Sequence, residues 1–448
     1  MRTAPDRAGK RREGERGPMA GELKVSVIGG GSTYTPELVE GLIERGAELG
    51  LGTVALMDVD QDRLEVVGGL CERMIGAAGS PIQLALSTER SQALQGADFV
   101  ITQIRVGGNA QRVVDEKIPL RFSIVGQETT GPGGFAKALR TIPVMLSIAA
   151  DMERLCPQAW LINFTNPSGL ITEALVRHSN VRVIGLCNLP INTLHAVAGY
   201  LDEPPERVSL DYVGLNHLSW VKGVYLDGRD VTEAVLAKAV EEARRGVRGL
   251  FPFSPEVIET LDMLPCYYLR YYYHHDQVLE EQKKAGRTRG EEVQEIEQKL
   301  LAMYADLSLV SKPRELEKRG GALYSTAAVS LIAAIVGNKN EAHIVNVRNR
   351  SAILDLPEGS VVEVPCLVGA GGAIPLTAGR LPAAIRGLIH YVKAYEELTV
   401  EAGVSGDRRA AVQALASHPL VASFAVATEL VGVILEANRD YLPQFFNR

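Results

Sequence analysis

A glycine-rich turn after the first apolar segment constrains the fold of this chain more than any other feature. Leu23–Ile28 reads LKVSVI and predicts a buried β-strand. The sequence GGGS follows at residues 29–32, and residues 36–43 then show the apolar spacing of a helix. In a strand–turn–helix unit of this kind, backbone N–H groups of the turn face a pyrophosphate at the helix N-terminus. The sequence therefore predicts a dinucleotide-binding unit near its start.

Further apolar runs alternate with helical patterns through the first half of the chain. Continuous apolar strands between helices indicate a parallel sheet that is covered on both faces. The sequence thus predicts an α/β fold with a Rossmann-like doubly wound parallel sheet, forming an NAD-binding domain over residues 23–190. The additional predicted strands cover residues 53–59, 82–86, 98–104, 159–164 and 181–186.

The rest of the chain, residues 191–448, predicts a mixed α+β domain for substrate binding and oligomerisation. A single charged helix is expected over residues 278–306 and a buried helix over 326–336, with further helices over 384–448. Strands are expected at residues 208–213, 220–225, 343–347 and 361–364. Residues 1–22 predict a disordered tail, because the stretch 2–18 is charged and has almost nothing apolar, and Met19 is a candidate start.

Composition excludes several classes of protein. The chain has 47 basic and 54 acidic residues, a net charge of −7, which argues against a nucleic-acid partner. No apolar run reaches the length of about 18 residues that a membrane span needs, so no membrane association is expected. The five cysteines are widely spaced and odd in number. They predict no disulfide framework and favour a reducing, cytoplasmic location.

An acidic residue completes the predicted nucleotide site. Asp58 ends the second strand, where a carboxylate accepts hydrogen bonds from ribose hydroxyls and repels a 2′-phosphate, so NAD is expected rather than NADP. Tyr34 replaces the third glycine of the usual motif, which weakens the signal. The alternative is a turn that only packs the helix on the strand, with Asp58 solvated. The predicted NAD contacts are Gly29, Gly30, Gly31, Ser32, Thr33 and Asp58.

Polar clusters follow several of the predicted strands, and together with the glycine turn they form a recognisable set. The segments are GGGSTYTPEL, IRVGG, GQETTGPGG (126–134), NFTNPSG (163–169), CNLP (187–190), VGLNH (213–217), YLRYYY (268–273) and IVNVRN (344–349). This set resembles glycoside hydrolase family 4, the NAD- and divalent-metal-dependent glycosidases. Most glycosidases hydrolyse their substrates with two catalytic carboxylates, and that family is an exception.

The resemblance implies the residues of a metal site and of a base. Cys187 and His217 resemble the two protein ligands of a divalent metal, expected to be Mn²⁺, with substrate oxygens completing the shell. Tyr268 resembles the base that acts at C2 of the sugar, and Glu128 resembles the carboxylate that raises its basicity by hydrogen bonding. Without the resemblance, the cysteine and histidine are explained as a buried residue and a turn residue. Tyr267 is the rival base, and the tyrosines also fit a packing cluster.

The resemblance also implies the substrate contacts and the reaction. Arg112, Asn166 and Arg289 resemble positions that bind a phosphorylated disaccharide or β-glucoside. The implied activity is hydrolysis of 6-phosphorylated β-glucosides such as cellobiose 6-phosphate, in a homodimer or homotetramer. Asn188 stands where the α-glucoside branch carries Asp, so the general acid stays unassigned.

The expected sequence of steps begins with transfer of hydride from C3 to NAD⁺, which makes the C2 proton acidic. Loss of that proton, elimination of the aglycone, addition of water and return of the hydride then follow. Two alternatives remain at this point: a net NAD-dependent dehydrogenase of the lactate/malate type, and a non-catalytic NAD-sensing protein.

Overall fold

The computed structural model of the protein describes residues 22–247, 249–320 and 323–446. The predicted tail therefore lies outside the described residues except for Glu22, and so does Met19. In the described part of the chain, no helix combines the length and the apolar character that crossing a membrane requires.

Six parallel strands form the first half of the fold, and each lies within two residues of its predicted ends. In the sheet they follow the order β6-β5-β4-β1-β2-β3, with all neighbouring pairs parallel. This order confirms the Rossmann-like doubly wound sheet. The strands are β1 (Leu23–Ile28), β2 (Leu51–Met57), β3 (Gln83–Ser87), β4 (Phe99–Thr102), β5 (Trp160–Asn163) and β6 (Arg182–Gly185).

Helices connect these strands. The first helix has Pro36 in its first turn, where its missing N–H is not needed, and ends at Gly50, whose φ of 65° terminates it in the left-handed conformation. These are local reasons for a helix of this length directly after the glycine turn. The helices are α1 (Thr35–Leu49), α2 (Gln61–Ala77), α3 (Arg90–Leu94), α4 (Gly108–Leu120), α5 (Gly131–Leu155), α6 (Ser168–His178) and α7 (Asn188–Leu201).

A small antiparallel sheet follows. Its main hairpin turns through Asn216 and His217, and His217 has a φ of 64°, in the left-handed region. The hairpin therefore places a histidine at its tip. The strands are β7 (Val208–Leu215), β8 (Leu218–Leu226), β9 (Arg229–Asp230) and β10 (Leu264–Pro265).

Three later strands return to the large sheet. They are β11 (Glu341–Arg348), β12 (Val361–Gly369) and β13 (Gly372–Pro375). β11 pairs antiparallel with β6, and the order continues as β13-β12-β11-β6. The three antiparallel strands therefore extend the six parallel strands to a sheet of nine. The large sheet thus runs across residue 190, and the domain boundary expected there stays a prediction.

The remaining helices include one correction to the sequence analysis. The single helix expected over residues 278–306 is wrong, because Gly286 has a φ of 70° and ends one helix. Thr288 then caps the next through a capping box with Glu291. The helices are α8 (Thr232–Arg244), α9 (Pro255–Leu261), α10 (Arg270–Tyr273), α11 (His275–Ala285), α12 (Arg289–Tyr304), α13 (Tyr324–Val336), α14 (Ala383–Ser405), α15 (Arg408–Ser417), α16 (Phe424–Ala437) and α17 (Pro443–Phe446).

Candidate active site

A cavity of about 1380 Å³ lies at the carboxyl edge of the parallel strands. Residues that directly follow β1, β2, β4 and β5 line it, as does Cys187 two residues after β6, and this edge is where open α/β sheets bind ligands. Every predicted site residue except Gly30 and Thr33 lines this cavity. The structure therefore brings the predicted nucleotide turn, metal pair, tyrosine and substrate contacts into one space.

Asp58 and the glycine turn form one end of the cavity. The Gly31 amide donates a hydrogen bond to Asp58 Oδ2 at 2.8 Å, and the Asp60 amide donates to Oδ1 at 3.1 Å. A Cβ atom on Gly31 would lie 2.9 Å from the same Oδ2 atom. The carboxylate therefore fixes the turn, and its remaining lone pairs are available to ribose hydroxyls.

Two predicted nucleotide contacts, Gly30 and Thr33, do not reach the cavity surface. The Gly30 amide donates to the Met57 carbonyl at 2.7 Å, and a Cβ at Gly30 would lie 2.8 Å from Leu56 Cβ. Thr33 is fully buried, and its hydroxyl donates to Glu297 at 3.4 Å. Both residues pack the turn against its neighbours because the chain must pass close to β2 and α12 at this point.

Cys187 and His217, 30 residues apart, meet in the cavity wall. Cys187 caps the N-terminus of α7, and its sulfur lies 3.5 Å from His217 Nε2. The other ring nitrogen, Nδ1, is 3.0 Å from the Thr129 hydroxyl. Burial and the neighbouring Lys137 lower the pKa of His217 to about 3, so the imidazole is neutral, as a metal ligand must be. Burial raises the pKa of the Cys187 thiol above its ordinary value.

The geometry of this pair fits a divalent metal. Bonds as long as those of zinc, about 2.1 Å to nitrogen and about 2.3 Å to sulfur, already allow one ion to bind two atoms that are 3.5 Å apart. No cluster of three or more His, Cys, Asp or Glu side chains suited to a metal occurs among the described residues. Two protein ligands leave coordination positions open, which is typical of catalytic rather than structural metal sites.

Tyr268 lies directly against the histidine. Its ring stacks on the His217 ring, with centroids 3.7 Å apart and planes within 4° of parallel. The rival Tyr267 points its hydroxyl elsewhere, where it accepts a hydrogen bond of 2.7 Å from Arg270. Burial raises the pKa of Tyr268 well above its ordinary value, and the nearby Tyr271 raises it further. Of the two tyrosines, Tyr268 is therefore the one against the Cys187–His217 pair, and a cation bound there would lower the pKa of its hydroxyl.

Glu128 is held differently from what the sequence analysis expects. It forms ion pairs with Arg105, with Arg112 at 3.1 Å and with Lys137 at 2.8 Å. Burial acts to raise the pKa of this carboxyl, but the three cations hold it well below its usual value. Among the described residues, Glu128 makes no hydrogen bond to the Tyr268 hydroxyl, since the cations occupy its oxygens. Its carboxylate therefore holds these three cations along one side of the cavity. Arg105, Arg112 and Lys137 form the basic wall of the cavity.

The three predicted substrate contacts lie along the same cavity. Arg112 also pairs with Glu116 at 2.8 Å, and Arg289, at the start of α12, pairs with Glu292 at 2.9 Å. The Asn166 side-chain oxygen is buried and has no hydrogen-bond partner among the described residues. An unpaired buried acceptor at a cavity wall is costly without a ligand, so Asn166 Oδ1 is well placed to receive a hydroxyl.

Sequence reasoning missed several charged residues of the cavity wall. Lys137 lines the cavity from α5, and burial together with Arg105 lowers its pKa to about 7. The one sign of Lys137 in the sequence is that a lysine interrupts the apolar run GFAKAL. Arg319 and Glu297 reach the nucleotide end from the second half of the chain and form an ion pair at 3.5 Å. No local motif marks these two residues.

Comparison with protein-family models decides the relationship. The model for family 4 glycosyl hydrolase matches residues 24–203, and the model for the C-terminal domain of the same family matches residues 212–421. The chain belongs to glycoside hydrolase family 4. The resemblance seen in the sequence is thereby confirmed, and family membership disfavours both a net dehydrogenase and a non-catalytic NAD sensor.

Individual relatives of this family 4 glycosidase span almost its whole length. The 6-phospho-β-glucosidase of Escherichia coli (strain K12) is 40% identical over 442 residues, which cover 95% of this chain and 98% of the relative. The maltose-6′-phosphate glucosidase of Fusobacterium mortiferum is 32% identical over 442 residues, 94% of this chain and 99% of the relative.

A solved structure resembles this family 4 glycosidase closely. It is the 6-phospho-β-glucosidase from Thermotoga maritima with manganese, NAD⁺ and glucose 6-phosphate. Its TM-score is 0.86 at 36% identity, covering 94% of this chain and 99% of that one.

Proposed function

We propose that this family 4 glycosidase is a 6-phospho-β-glucosidase that uses NAD⁺ and a divalent metal, with Mn²⁺ as the expected ion. It would release glucose 6-phosphate from 6-phosphorylated β-glucosides such as cellobiose 6-phosphate. The observation that carries the proposal is a single cavity that joins the Asp58 turn to the Cys187–His217 pair and Tyr268. The E. coli and T. maritima relatives, which carry this name, support it.

The preference for a β-glycosidic bond rests on two observations. Identity is 40% to the 6-phospho-β-glucosidase of E. coli and 32% to the maltose-6′-phosphate glucosidase. In addition, Asn188 lines the cavity at the position where the resemblance expects Asp in α-type enzymes. An amide does not supply the proton that a carboxylic acid would. The general acid therefore stays unassigned.

The cofactors divide the chemistry between the two ends of the cavity. When bound, NAD⁺ supplies a reversible hydride acceptor for C3 of the sugar, and the metal supplies a Lewis acid for the adjacent oxygens. The residues proposed to hold NAD⁺ are those of the turn that reach the cavity, Gly29, Gly31 and Ser32, with Asp58 at the ribose. Cys187 and His217 are proposed to hold the metal.

The chain's own side chains then orient the substrate and move a proton. Asn166 orients the sugar through its unpaired side-chain oxygen. The basic wall around Glu128 also orients the sugar, because Arg112 presents a planar set of donors there. Arg112 and Arg289 are suited to the 6-phosphate because an arginine fork matches phosphate oxygens. The Tyr268 oxygen removes the proton from C2, which weakens the bond from C1 to the aglycone oxygen.

The location and assembly of the protein complete this proposal. All five cysteines are unpaired and buried, and one of them is a proposed metal ligand. A reducing compartment preserves such thiols, so a cytoplasmic location is proposed. Assembly as a homodimer or homotetramer, and the lack of a nucleic-acid partner, stay predictions.

A panel of chromogenic glycosides tests the proposal. The panel contains α- and β-glucosides and galactosides, each with and without a 6-phosphate, assayed with and without NAD⁺ and Mn²⁺. We expect turnover of the 6-phospho-β-glucoside, and only when both cofactors are added. Cleavage of the α-anomer alone would contradict the assignment. Accumulation of NADH would favour a net dehydrogenase, and NAD⁺ binding without turnover on any substrate would favour an NAD sensor.

A further inference from the structure

A buried carboxylate without a basic partner lies behind the proposed metal site. Glu363 is on β12, and none of its surface is exposed. Asp115 and Glu173 are buried as well, but they form ion pairs with Arg140 and Lys393. Within the residues that the structure describes, Glu363 forms no ion pair. Burying a charge is costly unless hydrogen bonds and an opposite charge compensate it.

Neutral donors surround Glu363 instead. The Tyr212 hydroxyl donates to Oε2 at 2.8 Å. The side-chain amides of Asn216 and Asn346 both donate to Oε1 at 3.0 Å. Three hydrogen bonds satisfy the oxygens, whereas burial raises the pKa of the Glu363 carboxyl above its ordinary value.

The antiparallel extension of the large sheet brings this carboxylate to the site. Glu363 lies opposite Asn346 in the register of β12 and β11, and Asn346 lies opposite Gly185, the last residue of β6. Cys187 follows two residues after Gly185. The strands that extend the sheet therefore place Glu363 beside the segment that carries one proposed metal ligand.

Asn216 links Glu363 to both proposed ligands. It is the chain neighbour of His217 in the β7–β8 turn, and its side chain is near enough to the Cys187 thiol to act on the pKa of that thiol. Its side-chain oxygen accepts a hydrogen bond of 3.3 Å from the Gly169 amide. A Cβ atom on Gly169 would lie 2.8 Å from Asn216 Cβ, so there is little room for Asn216 to move.

We propose that Glu363 is a positioning residue for the metal site. Its carboxylate holds Asn216, and Asn216 keeps the turn that carries His217 at the separation from Cys187 that a metal ion requires. The inference rests on the proposed function, because that function assigns Cys187 and His217 as metal ligands. Side chains that hold metal ligands in this way commonly tune metal affinity.

Metal affinity measured apart from activity tests the proposal. Mn²⁺ dissociation constants are obtained from the electron paramagnetic resonance signal of free Mn²⁺, and NAD⁺ affinity is measured on the same samples. We expect Glu363→Gln and Asn216→Ala to weaken Mn²⁺ binding about 10- to 100-fold. We expect NAD⁺ affinity to stay unchanged, since the Asp58 turn is at the other end of the cavity. Excess Mn²⁺ should restore turnover in Glu363→Gln.

A matched control separates positioning from a general loss of stability. Glu173 is also a fully buried carboxylate, and it accepts a hydrogen bond from the Val361 amide on β12, but it pairs with Lys393 outside the cavity. Glu173→Gln should lower the unfolding temperature and leave the Mn²⁺ dissociation constant at the wild-type value.

The outcomes distinguish this inference from the proposed function. Wild-type Mn²⁺ affinity in Asn216→Ala and Glu363→Gln, together with weakened affinity in Cys187→Ser, would overturn the positioning role alone. Wild-type affinity in Cys187→Ser would overturn the metal site and the inference with it. If Glu363→Gln does not fold, the Mn²⁺ affinity of Asn216→Ala decides whether the positioning role holds. Asn216 is only partly buried, so its replacement should leave the protein folded.

Discussion

At the scale of single residues, His217 connects the proposed metal site with the proposed base. One edge of its ring presents Nε2 to the Cys187 sulfur, and one face stacks on Tyr268. Burial raises the pKa of Tyr268, which disfavours the phenolate form that a base needs. A cation held by Cys187 and His217 acts in the opposite direction, because nearby positive charge stabilises a phenolate. The metal and the base are therefore expected to depend on each other.

Removal of the Tyr268 hydroxyl tests its role as the base. We expect Tyr268→Phe to lower turnover about a hundred- to ten-thousand-fold, the usual contribution of a general base. The loss of one hydroxyl at a cavity wall should cost only about 1 kcal/mol of unfolding free energy. Exchange of the substrate C2 hydrogen with solvent deuterium should stop, whereas a burst of enzyme-bound NADH should remain, since hydride transfer at C3 does not need this base.

Tyr267→Phe is the matched control for that variant. The Tyr267 hydroxyl contacts Arg270 rather than the metal pair, so C2 exchange and turnover should persist. An inactive Tyr267→Phe beside an active Tyr268→Phe would shift the base by one residue. Near-normal turnover in both variants would place the base elsewhere and leave the tyrosines as a packing cluster.

Substitution of Cys187 tests the metal site. Cys187→Ser replaces a thiolate ligand by a poorer one, and we expect Mn²⁺ affinity to fall at least about tenfold, with most of the activity lost. NAD⁺ affinity should change little, because Asp58 and the glycine turn are separate from the thiol. A calorimetric Mn²⁺ titration identical to that of the wild type would remove Cys187 from the site.

At the scale of elements, apolar runs and glycines predicted the parallel strands well. β1 to β6 lie within two residues of their expected ends because buried parallel strands are continuous apolar runs. The pattern did not show that β11 to β13 pair with β6, since strand periodicity contains no information about distant neighbours. The break at Gly286 was missed because both flanking helices continue the same charged, amphipathic spacing.

Close packing in the glycine turn gives a prediction at this scale. A methyl group on Gly31 would lie 2.9 Å from Asp58 Oδ2 and displace the carboxylate. We expect Gly31→Ala to weaken NAD⁺ binding at least about tenfold, which corresponds to losing one hydrogen bond to a charged group. Equilibrium binding of NAD⁺, measured by fluorescence, checks this result.

Gly76→Ala in α2 is the control for the glycine substitution. A methyl group on Gly76 meets no described atom within 4 Å. The variant should keep wild-type NAD⁺ affinity and gain up to about 1 kcal/mol of unfolding free energy, as expected for alanine in a helix. Equal NAD⁺ affinity in both variants would contradict the role given to the turn.

At the scale of the whole molecule, the cavity is assembled from segments that extend from Ile28 to Ser325. The sequence names the members that belong to recognisable motifs, such as Cys187 and His217. It does not name Lys137 or Glu363, because their importance arises from burial and from neighbours that only the folded chain supplies. A charged residue of the wall, such as Lys137, and one buried behind it, such as Glu363, are therefore visible only in the structure.

The joining of a nucleotide end and a metal end in one cavity predicts how the cofactor behaves over a full cycle. Hydride taken from C3 must return to C3 after the aglycone leaves, because hydrolysis causes no net oxidation of the sugar. We therefore expect turnover to require NAD⁺ while NADH absorbance stays nearly flat. Full activity at NAD⁺ concentrations far below that of the product would establish the cycle. NADH formed in proportion to product would instead show a net oxidation and contradict the glycosidase mechanism.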